Sequence, residues 1–284
     1  METATEITLT TDSSTLIFNK KNGALSSWKP NGVEILKGAL EPYFWKTPND
    51  NQKRGGYAEG LGNWKNAAEN RKVEKISINA ASGNEGNVSI VFNMTLPTIG
   101  ANYNLKYTVN GQGQIQVEAD YLPTSKNIQQ IPKFGMRVQI IDKFDNINWY
   151  GRGPQENYPD RKTGALIGLY NLKLENFMTN YVASQDNANR CDVRWFTFSD
   201  QAKSSVKVTG LQPLCFHAWN YTENDLENAK HQFELPKRNF INLNIDLNIH
   251  GVGGNDSWGA KTMEKYTIDG NKSYKYGYIL EYKK

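Results

Sequence analysis

The chain has 284 residues, of which 38% are hydrophobic and 22% are charged, and its formal net charge is +4 at pH 7. This composition is that of an ordinary globular protein and excludes an intrinsically disordered chain. No window approaches the roughly 18 uninterrupted apolar residues of a transmembrane helix, and the lysines are scattered instead of clustered, so we expect neither a membrane nor a nucleic acid as a partner.

The first residues, METATEITL, lead almost at once into a strand pattern. They contain neither a basic start nor an apolar core, so the chain as given carries no signal peptide, and the cellular compartment stays open. We expect an added methionine on an excised domain, with residues 1–5 as an added or linking segment.

Alternation with a period of two dominates the chain and predicts β-strands. In chain order, the clearest runs are residues 88–94, 115–119, 241–249 and 274–282. In the third run, INLNIDLNI, isoleucine and leucine alternate with asparagine and aspartate. This pattern predicts a half-buried antiparallel strand, with one apolar face and one polar face.

Turn dipeptides separate the alternating runs, namely Asn22-Gly23, Asn31-Gly32, Asn110-Gly111 and Asp269-Gly270. The best helical candidate is a short segment near residues 57–69, and no long segment has the period of a helix. No Pro-rich or Ser-rich hinge divides the chain. The sequence therefore predicts an all-β protein in which residues 1–284 form a single domain, a large antiparallel β sandwich.

Three stretches interrupt the alternation with dense polar and aromatic residues: 41–51, 148–170 and 251–259. The second contains GRGPQENYPDR, and loops on a rigid scaffold often carry function. The alternative is that its arginines and carboxylates pair with each other and brace the connection. A glycosidase-like pair of Glu156 and Asp160 is a further interpretation, but spacing in a loop does not give the separation of about 5–9.5 Å that such a pair needs.

The third stretch, GVGGNDSWG, places one large aromatic residue, Trp258, among glycines and polar residues. A tryptophan usually buries about 150–250 Å², and the neighbours in sequence offer little apolar surface. Glycines allow the backbone turn that would present such a ring to solvent. We expect Asn255 and Asp256 to shape this turn through side-chain-to-backbone hydrogen bonds.

Metal-binding residue types are few and scattered, comprising Cys191, Cys215, His217, His231 and His250. No C-x-x-C or H-E-x-x-H spacing occurs, so we expect no metal site. We predict that the two cysteines are buried free thiols, although the sequence does not show whether they pair.

A family resemblance joins these stretches. WYGRGPQENYPDRKTGA, YVASQDNANRCDVRW and HGVGGNDSWG follow one another in the order seen in the C-terminal domain of the large bacterial β-galactosidases of glycoside hydrolase family two, which they resemble. FWKTPNDN, with Asn63-Trp64 soon after, is similar to the opening segment of that domain. The resemblance spans about residues 6–283, and it implies a large antiparallel β supersandwich of the galactose-mutarotase-like type.

The resemblance also implies a division of labour. In that family the catalytic glutamates lie in a separate TIM barrel, for which this chain has no strand–helix alternation. The whole enzyme would be a retaining glycosidase that acts through a covalent galactosyl intermediate. This chain would supply no catalytic residue and no cofactor, and any Mg or Na ions of the whole enzyme would bind elsewhere. Its partners would be a galactoside shared with the catalytic domain and the other domains or subunits.

The resemblance assigns roles to seven residues. Trp258 would reach into the mouth of the active site and pack against the sugar. Asp256 and Asn255 are weaker candidates for substrate contact, and Asn255 stands where the family motif commonly has a second acid. The remaining residues are assigned to the structure of their loop and to contacts with other domains: Arg152, Glu156, Asn157 and Asp160.

Two other functions stay open. A free-standing aldose 1-epimerase (mutarotase) shares the sandwich type and needs an acid and a base, typically a histidine with a glutamate. His250, beside the 251–259 stretch, is its one tempting candidate, and a polar residue at the end of a strand is the competing interpretation. The second alternative is a carbohydrate-binding module that uses an exposed Trp258.

Overall fold

A computed structural model of the chain describes residues 1–80, 86–256 and 258–284. In these residues the strands are β1 (Glu6–Thr10), β2 (Ser14–Asn19), β3 (Leu25–Pro30), β4 (Leu36–Tyr43), β5 (Lys72–Ala80), β6 (Val88–Leu96), β7 (Ala101–Val109), β8 (Ile115–Pro123), β9 (Lys133–Ile141), β10 (Asn146–Gly153), β11 (Leu166–Lys173), β12 (Arg190–Ser199), β13 (Ser205–Trp219), β14 (Phe240–Ile249) and β15 (Tyr274–Lys283). The prediction of an all-β protein is confirmed.

The helices of the described residues are short. They are α1 (Asp50–Arg54), α2 (Tyr57–Leu61), α3 (Leu174–Phe177) and α4 (Glu223–Asn228), with 3-10 turns at Gly62–Trp64, Gln232–Glu234 and Glu264–Tyr266. The helical segment predicted near residues 57–69 contains α2 and the turn after it, whereas α1, α3 and α4 were not predicted. None of the helices in the described ranges has the length and apolar character needed to cross a membrane.

The four alternating runs of the sequence are β6, β8, β14 and β15, as predicted. Three of the four turn dipeptides connect consecutive strands: Asn22-Gly23, Asn31-Gly32 and Asn110-Gly111. The fourth, Asp269-Gly270, does not form a hairpin, because a 3-10 turn instead of a strand precedes it on the way to β15.

All fifteen strands of the described residues belong to one hydrogen-bonded sheet. Its main path is β1-β2-β3-β4-β9-β14-β13-β15-β8-β7-β6-β5, while β12 pairs with β13, and β10 lies between β12 and β11. The sheet curls back over itself. This is seen in the contact between Phe18 of β2 and Tyr107 of β7, whose ring centroids are 4.9 Å apart. Strands that are distant along the path therefore share one core.

Aromatic side chains fill the centre of this core. The ring of Phe134 on β9 lies 5.9 Å from those of Phe44 and Tyr121 and 5.5 Å from that of Tyr276, measured between centroids. All four residues are buried. Replacing such an aromatic with alanine typically costs about 3–5 kcal/mol, so this cluster is a main source of the stability of the fold.

The prediction that β14 is half-buried is wrong. Asn242, Asn244 and Asp246, three of the four residues of its predicted polar face, each expose 0% of their surface. The fourth, Asn248, lies beyond a register shift and is half-buried. The strand lies in the interior of the sheet, between β9 and β13, and α4 covers its polar face. Asn242 and Asn244 each donate a hydrogen bond of 3.0 Å to the carboxylate of Glu223 on α4. The alternation correctly identifies which residues share a face, but tertiary packing removes that face from water.

Long connections converge at one end of the sheet. Hydrogen bonds link α1 to the segments around residues 184 and 251, and link the segment around residue 160 to residue 252. We call these connections the loop cluster, and they are residues 47–56, 154–165, 178–189, 250–256 and 258–263. Because each connection is tied to a neighbour, the cluster is a defined surface.

Candidate functional site

Trp258 stands out from the loop cluster, with 82% of its surface exposed. Five other tryptophans expose 2% or less: Trp28, Trp45, Trp64, Trp149 and Trp219. Burial of an indole against apolar groups is favourable, and the core of this protein accommodates five of them. The exposed position of Trp258 therefore needs a local explanation, which the loop supplies.

Asp256 organises the turn that carries Trp258. Its Oδ1 accepts hydrogen bonds from the backbone N–H of Trp258 at 2.9 Å and of Ala260 at 3.1 Å. These donors lower the pKa of the Asp256 carboxyl, so it is an anion at neutral pH. Asn255 is exposed beside it, and Ser257 lies outside the described residues. Asp256 thus holds the backbone that presents the indole ring.

Asn51 of α1 fixes the C-terminal side of the same loop. Its Nδ2 donates to the carbonyl of Ala260 at 2.8 Å, and its Oδ1 accepts from the N–H of Gly259 at 3.3 Å. Gly259 has φ +102°, and a Cβ at this position would lie 2.9 Å from the backbone nitrogen of Gly55. Only glycine tolerates both this conformation and this close approach. The Trp258 loop is therefore locked onto α1.

The first turn of α1 fixes the N-terminal side of the loop. Asn49 and Gln52 form a capping box at the start of the helix. Their remaining amide groups point outward: Nδ2 of Asn49 donates to the carbonyl of Val252 at 2.8 Å, and Nε2 of Gln52 donates to that of Gly251 at 3.1 Å. Asn49 and Asn51 of the FWKTPNDN motif thus both hold the Trp258 loop.

Asp160 makes the second contact with the N-terminal side of the loop. Its two carboxylate oxygens accept hydrogen bonds from the N–H groups of Val252 at 3.0 Å and Gly253 at 2.8 Å. A Cβ on Gly251 would lie 2.5 Å from the Asp160 carboxylate carbon. The GPQENYPDR and GVGGNDSWG motifs, which are about 90 residues apart in sequence, therefore meet through this carboxylate.

Glu156 is engaged within its own loop cluster. Its Oε1 forms an ion pair of 2.6 Å with Arg161 and also accepts a hydrogen bond from the hydroxyl of Tyr181. Its Oε2 accepts from the backbone N–H of Ala188 at 2.8 Å. Both carboxylates of the glycosidase-like pair considered from the sequence, Glu156 and Asp160, are thus bound to groups of this chain.

Arg152 and Asn157 lie deeper in the same motif. Arg152 forms an ion pair with Asp192, which also pairs with Lys162 at 2.8 Å. Asn157 is fully buried, and its Oδ1 accepts from the backbone N–H of Cys191 at 2.8 Å. Through these contacts the motif is joined to β12.

The two cysteines lie opposite each other on β12 and β13. Cys191 and Cys215 are both buried and free, as predicted. Their sulfur atoms are 3.4 Å apart, which is much longer than the roughly 2.05 Å of a disulfide bond. In this structure they are thiols, and they contribute to packing.

Sequence reasoning missed a buried polar cluster on the covered face of β14. Glu223 lies at its centre, with its Oε2 3.1 Å from Nη1 of Arg137. The guanidinium of Arg137 in turn lies 4.0 Å from the centroid of the Tyr43 ring. Burial raises the pKa of Glu223, but Arg137 and Lys133 outweigh it, and the net pKa lies below the usual value. Glu223 is therefore a buried carboxylate that Arg137 neutralises.

Asp246 is the second carboxyl group of this cluster. Its Oδ1 lies 3.5 Å from Nζ of Lys133, and its Oδ2 lies 3.8 Å from Nδ1 of His217. These separations are too long for strong hydrogen bonds, so Lys133 offsets only part of the effect of burial, and the pKa of Asp246 rises to about 8. Burial and then the charge of Lys133 lower the pKa of His217 well below its usual value, so this imidazole is neutral.

This cluster contains an acid and a base, but it does not reach solvent. His217 and Glu223 each expose 1% of their surface, and Asp246 exposes 0%. The sequence did contain one indication of this buried cluster, namely the Asn and Asp residues on the polar face of β14, because both residue types are depleted in strands. Three such residues at alternate positions of a strand indicate a buried hydrogen-bonded network more than a solvent-exposed face.

His250 lies at the end of β14, beside the Trp258 loop. Its Nδ1 is 3.1 Å from the hydroxyl of Tyr57, the one side-chain partner recorded for it in the described residues. Burial, and secondarily Lys46, lowers the pKa of His250 to about 3. The histidine is therefore neutral. Among the described residues, no group of three or more His, Cys, Asp or Glu is arranged to hold a metal ion.

Comparison with known proteins places the chain in a family. Residues 10–280 match a family model described as the β-galactosidase small chain. The β-galactosidase of Priestia megaterium is 31% identical over 275 residues, which are 97% of this chain and 26% of that protein. The β-galactosidase of Lactobacillus delbrueckii subsp. bulgaricus is 30% identical over 267 residues, 94% of this chain and 26% of that protein. The chain thus spans about a quarter of the length of these curated relatives.

Solved structures with the same fold are galactose mutarotase-like proteins. One from Lactobacillus casei has a TM-score of 0.54 at 12% identity, and the match covers 98% of this chain and 100% of that one. The galactose 1-epimerase of Lactobacillus acidophilus has a TM-score of 0.52 at 8% identity, covering 98% and 94% respectively. At this identity the likeness concerns the fold alone, and it confirms the galactose-mutarotase-like prediction. Because the family model matches nearly the whole chain, this protein belongs to the β-galactosidase small-chain family.

Proposed function

We propose that this chain is a non-catalytic part of a retaining β-galactosidase and that it contributes Trp258 to the mouth of the active site. The observation that carries the proposal is an indole ring that is 82% exposed on a loop fixed at both ends. Membership of the β-galactosidase small-chain family supports the reaction. The remaining domains or subunits would supply the catalytic groups.

The chemistry of Trp258 suits a galactoside. One face of a pyranose consists of C–H bonds, and an indole offers a flat apolar platform with a single N–H donor. Pairs of aromatic rings contribute about 0.5–1.5 kcal/mol beyond area burial, and a contribution of similar size from the sugar face corresponds to about tenfold in affinity. A fixed loop strengthens this contribution, because little conformational entropy is lost when the sugar arrives. Asp256 and Asn255 are exposed beside the ring and are weaker candidates for contact.

The proposal assigns the catalytic carboxylates to another part of the enzyme. A retaining glycosidase needs two carboxyl groups about 5–5.5 Å apart on either side of the scissile bond. Glu156 and Asp160 hold groups of their own loop cluster, while Glu223 and Asp246 are sealed in the core. We likewise assign no metal or other cofactor to this chain, and the loop cluster would face the other domains.

The mutarotase alternative is less well supported. It requires an acid and a base that reach a sugar ring, whereas His217 and Glu223 are each only 1% exposed. In the described part of the chain, the His250 ring pairs with Tyr57 and with no carboxylate. A carbohydrate-binding module would use the same exposed Trp258, and it differs from our proposal in that the chain alone would bind galactosides.

Two assays of the purified chain separate these functions. We expect no hydrolysis of nitrophenyl β-galactoside and no acceleration of the mutarotation of α-galactose, followed by polarimetry. Hydrolysis by the chain alone would overturn the non-catalytic role. Accelerated mutarotation that is lost in His250→Ala would favour the epimerase instead. Saturable binding of galactose by the isolated chain would favour the binding module.

A substitution in the assembled enzyme, meaning this chain together with the catalytic part, tests the role of Trp258. We expect Trp258→Ala to raise the KM for a galactoside by about tenfold, and Trp258→Phe to raise it less. Phe233→Ala is the matched control, because Phe233 is 86% exposed in a different loop, where it stacks on His231. Equal effects of Trp258→Ala and Phe233→Ala would contradict the proposal.

A further inference from the structure

A cavity of about 140 Å³ lies beside the loop that carries Trp258. It is bounded by residues 259–262 on one side and by α2 and the connection from α1 on the other, with His250 in its wall. An apolar protein cavity of about 150 Å³ takes up one benzene molecule. The cavity of this protein therefore has room for a single six-membered ring.

The surface of the cavity is mainly apolar, although half of its lining residues are polar. Glycine and apolar side chains supply much of the wall. The residues concerned are Gly55, Gly56, Gly60, Gly259, Tyr57 and Leu61. Glycine has no side chain, so a ligand can approach the backbone closely at four of these positions. Such walls favour a flat or compact ring over a charged or extended molecule.

One wall residue, His250, has a buried polar atom without a partner in the described part of the chain. His250 exposes 2% of its surface, and within the described residues its Nε2 makes no hydrogen bond. The hydroxyl of Tyr57 has Nδ1 of His250 as its recorded partner, at 3.1 Å, and burial keeps the Tyr57 phenol protonated by raising its pKa. We assign the hydroxyl as the donor to Nδ1, and in that tautomer the single hydrogen of the neutral imidazole lies on Nε2. A buried donor without an acceptor costs about 1–3 kcal/mol.

The other buried or half-buried polar groups of the wall are already engaged. Asn51 and Gln52 hold the Trp258 loop, Thr262 donates to the carbonyl of Gly251 at 3.2 Å, and Thr267 donates to that of Glu264 at 2.6 Å. A sugar would bring several hydroxyl groups into this cavity, and each one left unpaired costs about 1–3 kcal/mol. Gln130 and Lys261 also line the cavity but are exposed. Among the buried groups of the wall, His250 offers one free donor, which matches a ligand with a single acceptor.

We propose that this cavity is a binding site for a small uncharged ring that bears one hydrogen-bond-accepting oxygen, such as a phenol or a cyclic alcohol. The oxygen accepts from Nε2 of His250, and the ring packs between Tyr57, Leu61 and the glycine walls. Because the ligand also contacts residues 259–262, binding stabilises the shoulder of the Trp258 loop. The proposal does not depend on the role of Trp258 in the enzyme.

Titration of the purified chain with phenol tests the site, followed by ligand-observed NMR and calorimetry. We expect saturable binding of phenol, weaker binding of fluorobenzene, and none of D-galactose. Gly60→Leu should abolish the binding, because a Cβ on Gly60 meets no atom within 4 Å and Gly60 lines the cavity. Gly62→Leu is the matched control, since Gly62 has equally open surroundings but does not line the cavity.

A second variant tests the hydrogen bond. His250→Phe keeps an aromatic ring and removes Nε2, so we expect phenol to bind about tenfold more weakly while fluorobenzene is unaffected. Circular dichroism checks that the variant is folded, and hydrogen exchange should show that phenol slows the amides of residues 259–262 in the unmodified chain. The proposal is overturned if phenol does not saturate, if D-galactose binds in its place, or if Gly60→Leu and Gly62→Leu behave alike.

Discussion

The tip of the Trp258 loop and the covered face of β14 are opposites. In the loop, a large aromatic residue is 82% exposed among polar neighbours, whereas on β14 the polar residues Asn242, Asn244 and Asp246 are each 0% exposed. In both places a carboxylate from elsewhere in the fold accepts the hydrogen bonds. Asp160 accepts from the backbone N–H groups of the loop, and Glu223 accepts from the side-chain amides of the strand. An apolar ring in water and polar groups in the core are thus both held in place by specific hydrogen-bond partners.

The two regions also treat their own carboxyl groups differently. Asp256 is exposed, and the N–H groups of Ala260 and Trp258 lower its pKa. Asp246 is buried, and burial raises its pKa to about 8 despite Lys133. The first group stays charged and shapes a turn, while the second is protonated over most of the physiological range.

Removing the centre of the buried cluster should have the largest effect. Glu223→Ala leaves the amides of Asn242 and Asn244 without their acceptor and removes one of the two carboxylates that pair with Arg137, the other being Glu41. Breaking a buried ion pair in this way costs about 3–5 kcal/mol, which urea unfolding of the chain will measure. Glu264→Ala is the control, because Glu264 is exposed and should change the free energy of unfolding by less than about 0.5 kcal/mol. Similar effects of the two variants would contradict the stabilising role of Glu223 in the buried cluster.

Asp246 should make stability depend on pH. Its pKa is higher in the folded state, about 8, than the roughly 3.9 of an unfolded chain. Between these two pH values the folded state binds a proton that the unfolded state does not. The free energy of unfolding of the protein therefore falls as pH rises, by up to about 1.4 kcal/mol per pH unit. The side chain of Asp246→Asn resembles the protonated acid and does not titrate. The free energy of unfolding of this variant, measured with urea, should therefore rise relative to that of the unmodified chain as pH increases from 5 to 8. A constant difference over that range would contradict the raised pKa.

Asp160→Asn should loosen the base of the Trp258 loop. The amide retains one acceptor oxygen, so one of the two charge-assisted hydrogen bonds to Val252 and Gly253 is lost, at a cost of about 1.5–3 kcal/mol. Hydrogen exchange of these two amides should become more than tenfold faster. Asp142→Asn is the control, because Asp142 is exposed on a different part of the surface. Unchanged exchange at residues 252 and 253 would count against this anchor.

Trp258→Ala should have the smallest effect on the free energy of unfolding, within about 0.5 kcal/mol, because the ring packs on little of the chain. Trp149→Ala, in contrast, should cost about 3–5 kcal/mol, since Trp149 is fully buried. Thermal unfolding of both variants makes the comparison. Equal losses would show that Trp258 belongs to the core.

The strands were predictable because period-two alternation reports directly on a pleated sheet. Thus β6, β8, β14 and β15 follow from single runs of sequence, and three hairpins follow from their Asn-Gly dipeptides. The burial of Asn242 and Asn244 was not predictable, because it depends on α4, which joins the sheet from a separate connection. Alternation carries no information about what packs on the polar face.

The candidate site was predictable only in part. The lone tryptophan among glycines indicated exposure, and the structure gives 82%. The contact between Asp160 and residues 252–253, however, joins two motifs that are about 90 residues apart in sequence. Local sequence patterns do not predict a contact between such distant residues. The cavity beside His250 depends in the same way on three separate segments.

The central claim is that Trp258 meets a sugar in the assembled enzyme, and fluorine NMR tests it most directly. The chain contains seven tryptophans, and labelling with 5-fluorotryptophan, with Trp258→Phe for assignment, isolates the signal of Trp258. We predict that this signal responds to exchange of H₂O for D₂O, and that a non-hydrolysable β-thiogalactoside shifts it and removes the solvent response. A Trp258 signal that stays unchanged when the enzyme is saturated with the thiogalactoside would contradict the account.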